Sequence, residues 1–397
     1  MKQFSVICVS PQDWYVDLPT NRQQVMRRVG ARGHEVVFVE SGAFLLRHPR
    51  ELVRNPGRTL RRLLATEPVA PGVHLCKALT VVPWGKRFRF ASRANFWLTA
   101  QRLKCLARRL PQPVVLWIYD PCAAAMVGSC GEVFAVYDCV DDYGEQYGAQ
   151  YGRDARRQAL VAAADVEAAR RSRIVFTTTT PLLERHGRNN ERTYLVPNVG
   201  DYTHFAPAAD RSLAAADVGD LPRPVIGFAG NLQIGKVDFE LLEHLARAKP
   251  EWSVVLIGPV RADTREAVAR LARLSNVHVL GWKPYTELPR YYAAFDVGLC
   301  PYVWSAAMQS GFPLKLYDYL AVGMPVVASG NPDLAGKEPD VVLARGAEEF
   351  VGAIEGVLGR VSREDRERRR SLAAHNTWET RTERLLEVVS AELGAEE

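Results

Sequence analysis

The sequence lacks the features of a membrane-spanning, exported or disulfide-bonded protein. No apolar run reaches the roughly 18 residues needed to cross a bilayer. The start of the chain leads straight into an apolar strand at Phe4 instead of a signal peptide. The seven cysteines are odd in number and include no C-x-x-C pair. We therefore expect a cytoplasmic protein whose cysteines are reduced and lie in the core.

The composition is that of a globular protein, with 47% hydrophobic and 24% charged residues. The charge is uneven: residues 1–200 hold 29 Lys and Arg against 17 Asp and Glu, whereas residues 201–397 hold 22 against 28. Residues 44–110 alone carry 15 basic and 2 acidic side chains. Aromatic residues are interleaved there, which is typical of a surface that contacts anionic lipid. An ordinary solvated basic face is the alternative, and nucleic acid is not expected because no nucleic-acid module accompanies the stretch.

Strands and helices alternate along the chain, which predicts an α/β fold with two doubly wound domains. An opening β-α-β unit lacks G-x-G-x-x-G, so no dinucleotide is expected at that end. A second series of strands and helices begins near Pro224, after a stretch of little periodicity. We expect an N-terminal Rossmann-like domain over residues 1–200, a linker over 201–223, a C-terminal Rossmann-like domain over 224–375 and a final helix over 376–397.

The stretch from Gly311 to Ser329 reads as a loop, a helix and a buried strand. Lys315 and Asp318 lie three residues apart and share one face of the helix. A cation beside a helix N-terminus suits a diphosphate, and a carboxylate one turn further on suits ribose hydroxyls. An amphipathic helix with a solvated Lys and Asp is the alternative.

The turn after the strand Val225–Ala229 runs from Gly230 to Val237 and matches G-x-x-x-x-G-K. A P-loop would need Ser or Thr where Val237 stands, so an ATPase is the rival interpretation and not the favoured one. Gly230 lets the backbone approach a phosphate closely, and Lys236 supplies a cation.

Four aspartates follow two apolar strands of the N-terminal half. Carboxylates just past parallel strands face the crevice where α/β sheets bind ligands, so these are the general-base candidates. Some of them could cap a helix instead. They are Asp120, Asp138, Asp141 and Asp142.

These segments together resemble the GT-B glycosyltransferases, nearest to glycosyltransferase family four and to the teichuronic-acid and xanthan-glucuronosyl types of bacterial transferase. The most specific match runs from Lys315 to Val327. Other matches are the acceptor loop Pro11–Trp14, the hinge from Pro197 to Phe205, the base-binding segment Val277–Pro301 and Trp378 in the final helix.

The resemblance implies two Rossmann-like domains facing across a cleft, with the acceptor in the first, a nucleotide diphosphate sugar in the second and the final helix packed back on the first. Acceptor-side residues would be Asp13 and Trp14. Trp282 would stack on a uracil or guanine base or lie in the core. The implied donor-binding residues are Gly230, Asn231, Lys236, Trp282, Lys315, Leu316, Tyr317 and Asp318.

The sequence departs from the family at three points. Ser310 replaces the first glutamate of the family's pair, Asp318 replaces the second, and Asn231 stands where many members have Arg. Both retention and inversion of configuration therefore stay open. No D-x-D motif occurs, so we expect no metal and no cofactor, with Lys236, Lys315 and helix N-termini neutralising the diphosphate.

The expected function is transfer of a sugar from a UDP- or GDP-linked donor to a lipid-linked or polysaccharide acceptor in cell-surface glycan biosynthesis. Residues 44–110 would attach the protein reversibly to the inner face of the cell membrane. A soluble secondary metabolite is the alternative acceptor. The rivals of another class are a P-loop ATPase and a non-catalytic sugar-binding protein.

Overall fold

The computed structural model describes residues 3–40, 65–80, 89–145, 155–305 and 310–395. The chain forms two compact units. The N-terminal unit comprises residues 1–196 and 382–397, and the C-terminal unit comprises residues 197–381. No helix of the described residues is long and apolar enough to cross a membrane.

The N-terminal unit is built on an eight-stranded sheet in the order β3-β4-β2-β1-β5-β6-β7-β8. All neighbouring strands are parallel except β3 and β4, which are antiparallel. The strands are β1 (Ser5–Val9), β2 (Glu35–Glu40), β3 (Glu67–Ala70), β4 (Val73–Lys77), β5 (Val114–Ile118), β6 (Phe134–Cys139), β7 (Ile174–Thr177) and β8 (Thr193–Leu195).

Four helices of this unit lie between the strands: α1 (Asn21–Ala31), α2 (Arg89–Ala107), α3 (Ala155–Arg171) and α4 (Thr180–Gly187). Strands β1 and β5 are buried at every position because helices cover both faces of a parallel sheet. Helix α1 begins with a capping box in which Thr20 and Gln23 satisfy each other's backbone N–H groups.

The C-terminal unit has a six-stranded, fully parallel sheet in the order β11-β10-β9-β12-β13-β14. Its strands are β9 (Val225–Ala229), β10 (Ser253–Ile257), β11 (Val277–Gly281), β12 (Val297–Cys300), β13 (Val326–Ser329) and β14 (Val341–Ala344). Successive residues of β9 point to opposite faces, so Val225 packs into one hydrophobic core and Ile226 into the other. The sheet is therefore buried on both faces, as the alternation of strands and helices predicts.

The helices of the C-terminal unit are short. They are α5 (Tyr202–Phe205), α6 (Ala216–Gly219), α7 (Phe239–Ala248), α8 (Arg265–Leu271), α9 (Leu288–Tyr292), α10 (Lys315–Val322), α11 (Gly346–Leu358) and α12 (Arg363–Ala374). Helix α10 ends at Gly323, which adopts the left-handed conformation with a φ of 91°. The helix has eight residues.

The segment expected as a linker contains α5 and α6. Its apolar side chains Phe205, Ala208 and Val218 are buried in the core of the C-terminal unit. The last helix, α13 (Trp378–Ala395), begins in the C-terminal unit and continues into the N-terminal one. Two ion pairs within the N-terminal unit hold its second part, between Arg32 and Glu383 at 3.0 Å and between Arg173 and Glu392.

Tyr319 on α10 packs directly against the sheet. Its hydroxyl accepts a hydrogen bond from the Ala229 N–H at 3.1 Å. Strand β12 admits the ring only because residue 298 is glycine: a Cβ there would lie 2.4 Å from the Tyr319 ring.

We expect Gly298→Ala to lower the free energy of unfolding by about 1–3 kcal/mol, because the added methyl group must displace a fully buried ring. Urea unfolding of the full chain measures the change. Gly352→Ala is the matched control: this glycine lies in α11 with nothing near its Cβ position, so alanine should stabilise by up to about 1 kcal/mol. Equal stability of Gly298→Ala and the wild type would contradict the packing.

Candidate donor and acceptor sites

Three glycine turns lie side by side at the carboxyl edge of the C-terminal sheet. The Gly230 N–H donates to the Ile257 carbonyl at 2.8 Å, and the Gly258 N–H donates to the Gly281 carbonyl at 2.8 Å. Gly258 has a φ of 153°, and a Cβ there would lie 1.9 Å from the Gly230 carbonyl oxygen. Only glycine fits at residue 258, and the turns after β9, β10 and β11 are therefore fixed relative to one another.

The ammonium group of Lys315 lies beside Gly230. A Cβ at Gly230 would be 2.9 Å from Lys315 Nζ. The ammonium donates to the Tyr302 hydroxyl at 2.6 Å and lies 4.6 Å from the centroid of the Phe228 ring. Burial lowers the pKa of Lys315, while Cys300 and Asp318 oppose that effect. Tyr302 and Phe228, which belong to different elements, thus set the position of this charge.

Lys236, in the turn after β9, lies near the same tyrosine. The Val303 N–H donates to the Lys236 carbonyl at 2.9 Å, which holds this turn against the loop after β12. The Lys236 ammonium lies 5.9 Å from the centroid of the Tyr302 ring, and Lys315 Nζ lies 5.1 Å from the same centroid. Within the described part of the chain neither lysine forms an ion pair. Two cations that share one ring and have no carboxylate partner form a site suited to an anion such as a diphosphate.

Asp318 lies one turn further along α10. Its Oδ1 accepts a hydrogen bond from the Asp201 N–H at 2.9 Å, and the Asp201 carboxylate accepts one from the Tyr285 hydroxyl at 3.2 Å. Burial raises the pKa of Asp318 to about 7; the Asp201 N–H and Lys315 act in the opposite direction. The carboxyl group is therefore partly protonated near neutral pH, and at least one of its oxygens is used within the protein.

The other predicted donor residues are placed less uniformly. Asn231 is exposed, and Trp282, directly after β11, is 49% exposed, so the alternative of a core position for Trp282 is wrong. Leu316 and Tyr317 are buried in the core, where a helix must place the residues on the face opposite its solvent side. The Leu316 N–H donates to the Pro313 carbonyl at 3.1 Å. Neither the side chain of Leu316 nor its N–H is thus directed at a ligand.

The four aspartates of the N-terminal unit have different environments. Asp120 caps the short 3₁₀ helix Pro121–Met126 by accepting from the Cys122 N–H at 2.9 Å. Asp138 is fully buried inside β6. Asp142 accepts from the Arg185 guanidinium at 2.5 Å and from the Glu145 N–H at 3.2 Å. Asp120 and Asp142 therefore each accept a hydrogen bond from a backbone N–H, as in the helix capping that the sequence analysis gave as the alternative role.

Asp141 is half-buried at the carboxyl end of β6. Its carboxylate is close enough to Arg22 to affect the pKa of that side chain. Burial lowers the pKa of Arg22, but Tyr143 and Asp141 outweigh burial, so the pKa of Arg22 is raised. The Arg22 guanidinium is buried and donates to the Tyr143 hydroxyl at 2.9 Å. A buried arginine beside a carboxylate can bind an anionic or hydroxylated ligand.

The two predicted acceptor-side residues differ. Asp13 is exposed. Trp14 is 3% exposed, its ring packs edge-on against Phe38 at 5.1 Å and its backbone N–H donates to the Glu40 carboxylate at 3.2 Å. The side chain of Trp14 belongs to the core, so a direct contact of this ring with an acceptor is not supported.

Sequence reasoning missed Tyr302 and Arg22. Tyr302 follows the strand β12 and a proline, which places it at the carboxyl edge, but its contact with both lysines depends on the packing of two other loops. Arg22 is in the first turn of α1, and nothing in the local sequence indicates that its side chain is buried.

The comparisons with known proteins agree with this architecture. The chain matches sucrose-phosphate synthase from Thermosynechococcus elongatus with a TM-score of 0.72 and 16% identity, over 99% of this chain and 100% of that one. It matches Anabaena HepE, solved with UDP and glucose, with a TM-score of 0.68 and 14% identity, over 97% and 99%. The chain thus has the GT-B fold, and the predicted fold class is confirmed.

Residues 223–360 match the family described as Glycosyl transferases group 1. A Bacillus subtilis (strain 168) protein whose name assigns it to teichuronic acid biosynthesis as a glycosyltransferase, TuaH, is 33% identical over 196 residues, 47% of this chain and 48% of that protein. The D-inositol 3-phosphate glycosyltransferase of Nocardia farcinica (strain IFM 10152) is 29% identical over 269 residues, 61% and 56% of the two chains. The chain spans about half the length of these curated relatives. Residues 223–360 of the C-terminal unit thus resemble group 1 glycosyl transferases, and the resemblance to GT-B glycosyltransferases is confirmed.

The pKa of Asp318 predicts a pH-dependent stability. In the unfolded chain this carboxyl ionises near pH 4, whereas in the folded protein it ionises at about 7. Between these pH values the folded state binds more protons than the unfolded state. The contribution of Asp318 to the free energy of unfolding therefore falls as the pH rises and becomes constant above about pH 7. Asp318→Asn cannot become charged. The difference in unfolding free energy between this variant and the wild type should therefore grow in favour of the variant as the pH rises from about 4 to about 7.

Urea unfolding of both proteins across that range measures the difference. Asp263→Asn, at an exposed aspartate of the same unit, is the matched control. A difference between Asp318→Asn and the wild type that does not vary with pH would contradict the assignment.

Proposed function

We propose that the protein is a glycosyltransferase that moves a sugar from a nucleotide diphosphate sugar to a hydroxyl group of a lipid-linked or polysaccharide acceptor. The observation that carries the proposal is that Lys236 and Lys315 both lie near the Tyr302 ring, with Lys315 beside Gly230, at the carboxyl edge of a parallel sheet that matches group 1 glycosyl transferases. Ligands of open α/β sheets bind at that edge. Two ammonium groups there can neutralise the leaving diphosphate.

The rival P-loop function has less support. Val237, where a P-loop needs a hydroxyl to hold magnesium, is 2% exposed and lies in the core. Helix α7 begins only at Phe239, where Asp238 caps it, so Lys236 does not enter a helix as the P-loop lysine does. The lysines are therefore assigned to neutralise a diphosphate that leaves with its nucleoside, without a metal ion at this site.

UDP is the favoured donor nucleotide. Anabaena HepE was solved with UDP and with UDP-glucose. Trp282 offers a half-exposed indole for a base at the end of β11, beside the fixed turn at Gly281.

Asp141 is the candidate general base of an inverting reaction. Its carboxylate follows the carboxyl end of β6 and lies close enough to the buried Arg22 guanidinium to raise the pKa of that arginine. With retention of configuration the donor phosphate would take the proton, and Asp141 would orient the acceptor hydroxyl. The anomeric configuration of the product distinguishes these two roles.

Titration calorimetry with UDP tests the donor site. Lys315→Met and Lys236→Met should each weaken UDP binding about 10- to 100-fold, because each removes a charge-assisted contact with the diphosphate. Lys249→Met is the matched control, since this lysine of the same unit pairs with Glu355 away from the glycine turns. Uridine, which lacks the diphosphate, should bind all four proteins alike.

Two results would count against the donor assignment. One is UDP affinity that is unchanged in both lysine variants. The other is a thermal shift with ATP and magnesium alone and none with UDP or GDP, which would favour the ATPase.

We also propose that the acceptor is held at the inner face of the cell membrane, where α2 offers a suitable surface. Arg93, Trp97 and Lys104 are exposed and recur at spacings of four and seven residues, so they share one face of α2, and Arg108 is exposed directly after the helix ends. The Trp97 side chain is 59% exposed and Phe96 is half-buried. Phe88 and the side chain of Phe90, which were expected to join them, lie outside the described residues.

Cosedimentation with liposomes tests this surface. Full-length protein should bind vesicles of anionic phosphatidylglycerol and phosphatidylcholine at low salt and detach at high salt, because exposed charges are screened within about 8 Å at physiological ionic strength. A variant with Trp97→Ala, Lys104→Glu and Arg108→Glu should lose most of the binding. Arg93 is retained because it pairs with Glu167.

The control variant carries Arg265→Glu and Arg273→Glu, two exposed arginines of the C-terminal unit. Absence of binding at low salt, or equal binding of both variants, would contradict the membrane proposal. A soluble acceptor would then take first place.

A further inference from the structure

Three buried side chains with metal-ligating atoms meet inside the N-terminal unit. Cys139 ends β6, Asp165 lies in α3 and His186 lies in α4, so three separate elements contribute. One ligand atom of each lies within 4.8 Å of the other two. Among the residues that the structure describes, no other group of three such side chains is this close.

His186 makes this cluster unusual for a core. Its side chain is 0% exposed, and neither ring nitrogen forms a hydrogen bond to a described residue. Its Nε2 lies 3.4 Å from Asp165 Oδ2, the nearest charged neighbour. Leaving a buried polar group without a partner is costly, and native proteins rarely do so.

The geometry suits a zinc ion. Zinc binds thiolate sulfur at about 2.3 Å, and imidazole nitrogen and carboxylate oxygen at about 2.0–2.2 Å, in tetrahedral arrangement. Neighbouring ligand atoms are then about 3.3–3.6 Å apart. The measured distances are 3.4 Å between His186 Nε2 and Asp165 Oδ2 and 3.9 Å between Cys139 Sγ and Asp165 Oδ1. Small side-chain adjustments would bring the three ligands to bonding distance.

We propose that Cys139, Asp165 and His186 bind one zinc ion. Nothing about the donor site requires it, and the ion has a structural role. On binding, the Cys139 thiol loses its proton to solvent and the sulfur bonds to the metal. The Asp141 carbonyl oxygen, 3.4 Å from Cys139 Sγ, is placed to complete a four-ligand shell.

Tyr137 supports one of the ligands. Its hydroxyl donates a hydrogen bond to Asp165 Oδ1, and its ring packs edge-on against His186 with the centroids 5.8 Å apart. Partners of this kind orient metal ligands and typically change metal affinity 10- to 100-fold when removed. Tyr137 is therefore a positioning residue of the zinc site.

The zinc ion would join β6, α3 and α4 directly below the loop that carries Asp141 and Asp142. Arg185, which binds Asp142, precedes His186 on α4. Fixing α4 to the end of β6 therefore also fixes this ion pair and the loop.

Metal analysis of the full-length protein tests the proposal. After loading with zinc chloride and dialysis against a weak chelator, the wild type should retain about one equivalent of zinc per chain by atomic emission. Loading with Co²⁺ instead should give the absorption of a cobalt–thiolate bond. Cys139→Ser should abolish that absorption, and both Cys139→Ser and His186→Gln should retain less than about a tenth of an equivalent of zinc.

Matched controls exist in the same unit. Cys130→Ser removes another fully buried thiol, and His34→Gln removes another buried imidazole, neither of which belongs to the cluster. Both controls should bind zinc as the wild type does. Tyr137→Phe should bind one equivalent with about 10- to 100-fold weaker affinity in competition with a chromophoric chelator.

Folded wild-type protein that retains less than about a tenth of an equivalent after loading overturns the proposal. So does a Cys139→Ser variant that keeps wild-type zinc content. Circular dichroism establishes that each protein is folded, so the wild-type measurement decides even if a ligand variant does not fold.

Discussion

The position of the half-buried Lys315 side chain is the constraint on which the proposed donor site depends. Tyr302 accepts its hydrogen bond at 2.6 Å, the Phe228 ring lies under it at 4.6 Å, and a side chain at residue 230 would collide with it. A buried cation is costly unless polar and aromatic groups stabilise it. The position of the Lys315 ammonium therefore requires that the glycine after β9, the tyrosine after β12 and the start of α10 lie next to one another.

The rest of the C-terminal unit keeps these three elements together. Glycines at 230, 258 and 281 allow the turns of three neighbouring strands to bond to one another. Gly298 admits the Tyr319 ring, whose hydroxyl binds the backbone at the end of β9. Substitutions that disturb this packing would move the charge that the proposed diphosphate site needs, so stability and the proposed binding depend on the same contacts.

The sequence predicted the fold and part of the site, and the reasons for both outcomes are physical. The α/β alternation and the shared face of Lys315 and Asp318 follow from local periodicity, and Gly230 and Lys236 follow from a short glycine motif after a strand. Leu316 and Tyr317 are core residues because a helix that packs on a sheet buries the face opposite its solvent side. Sets such as Cys139, Asp165 and His186 could not be predicted, because contacts between residues so far apart depend on how β6, α3 and α4 pack.

A crystal structure of the protein with UDP is the most direct test of the central claim. The account predicts phosphate oxygens within about 3 Å of both Lys315 Nζ and Lys236 Nζ, beside Gly230, with the uracil toward Trp282. Binding of the diphosphate away from both lysines, or only through a bridging metal ion, would contradict it.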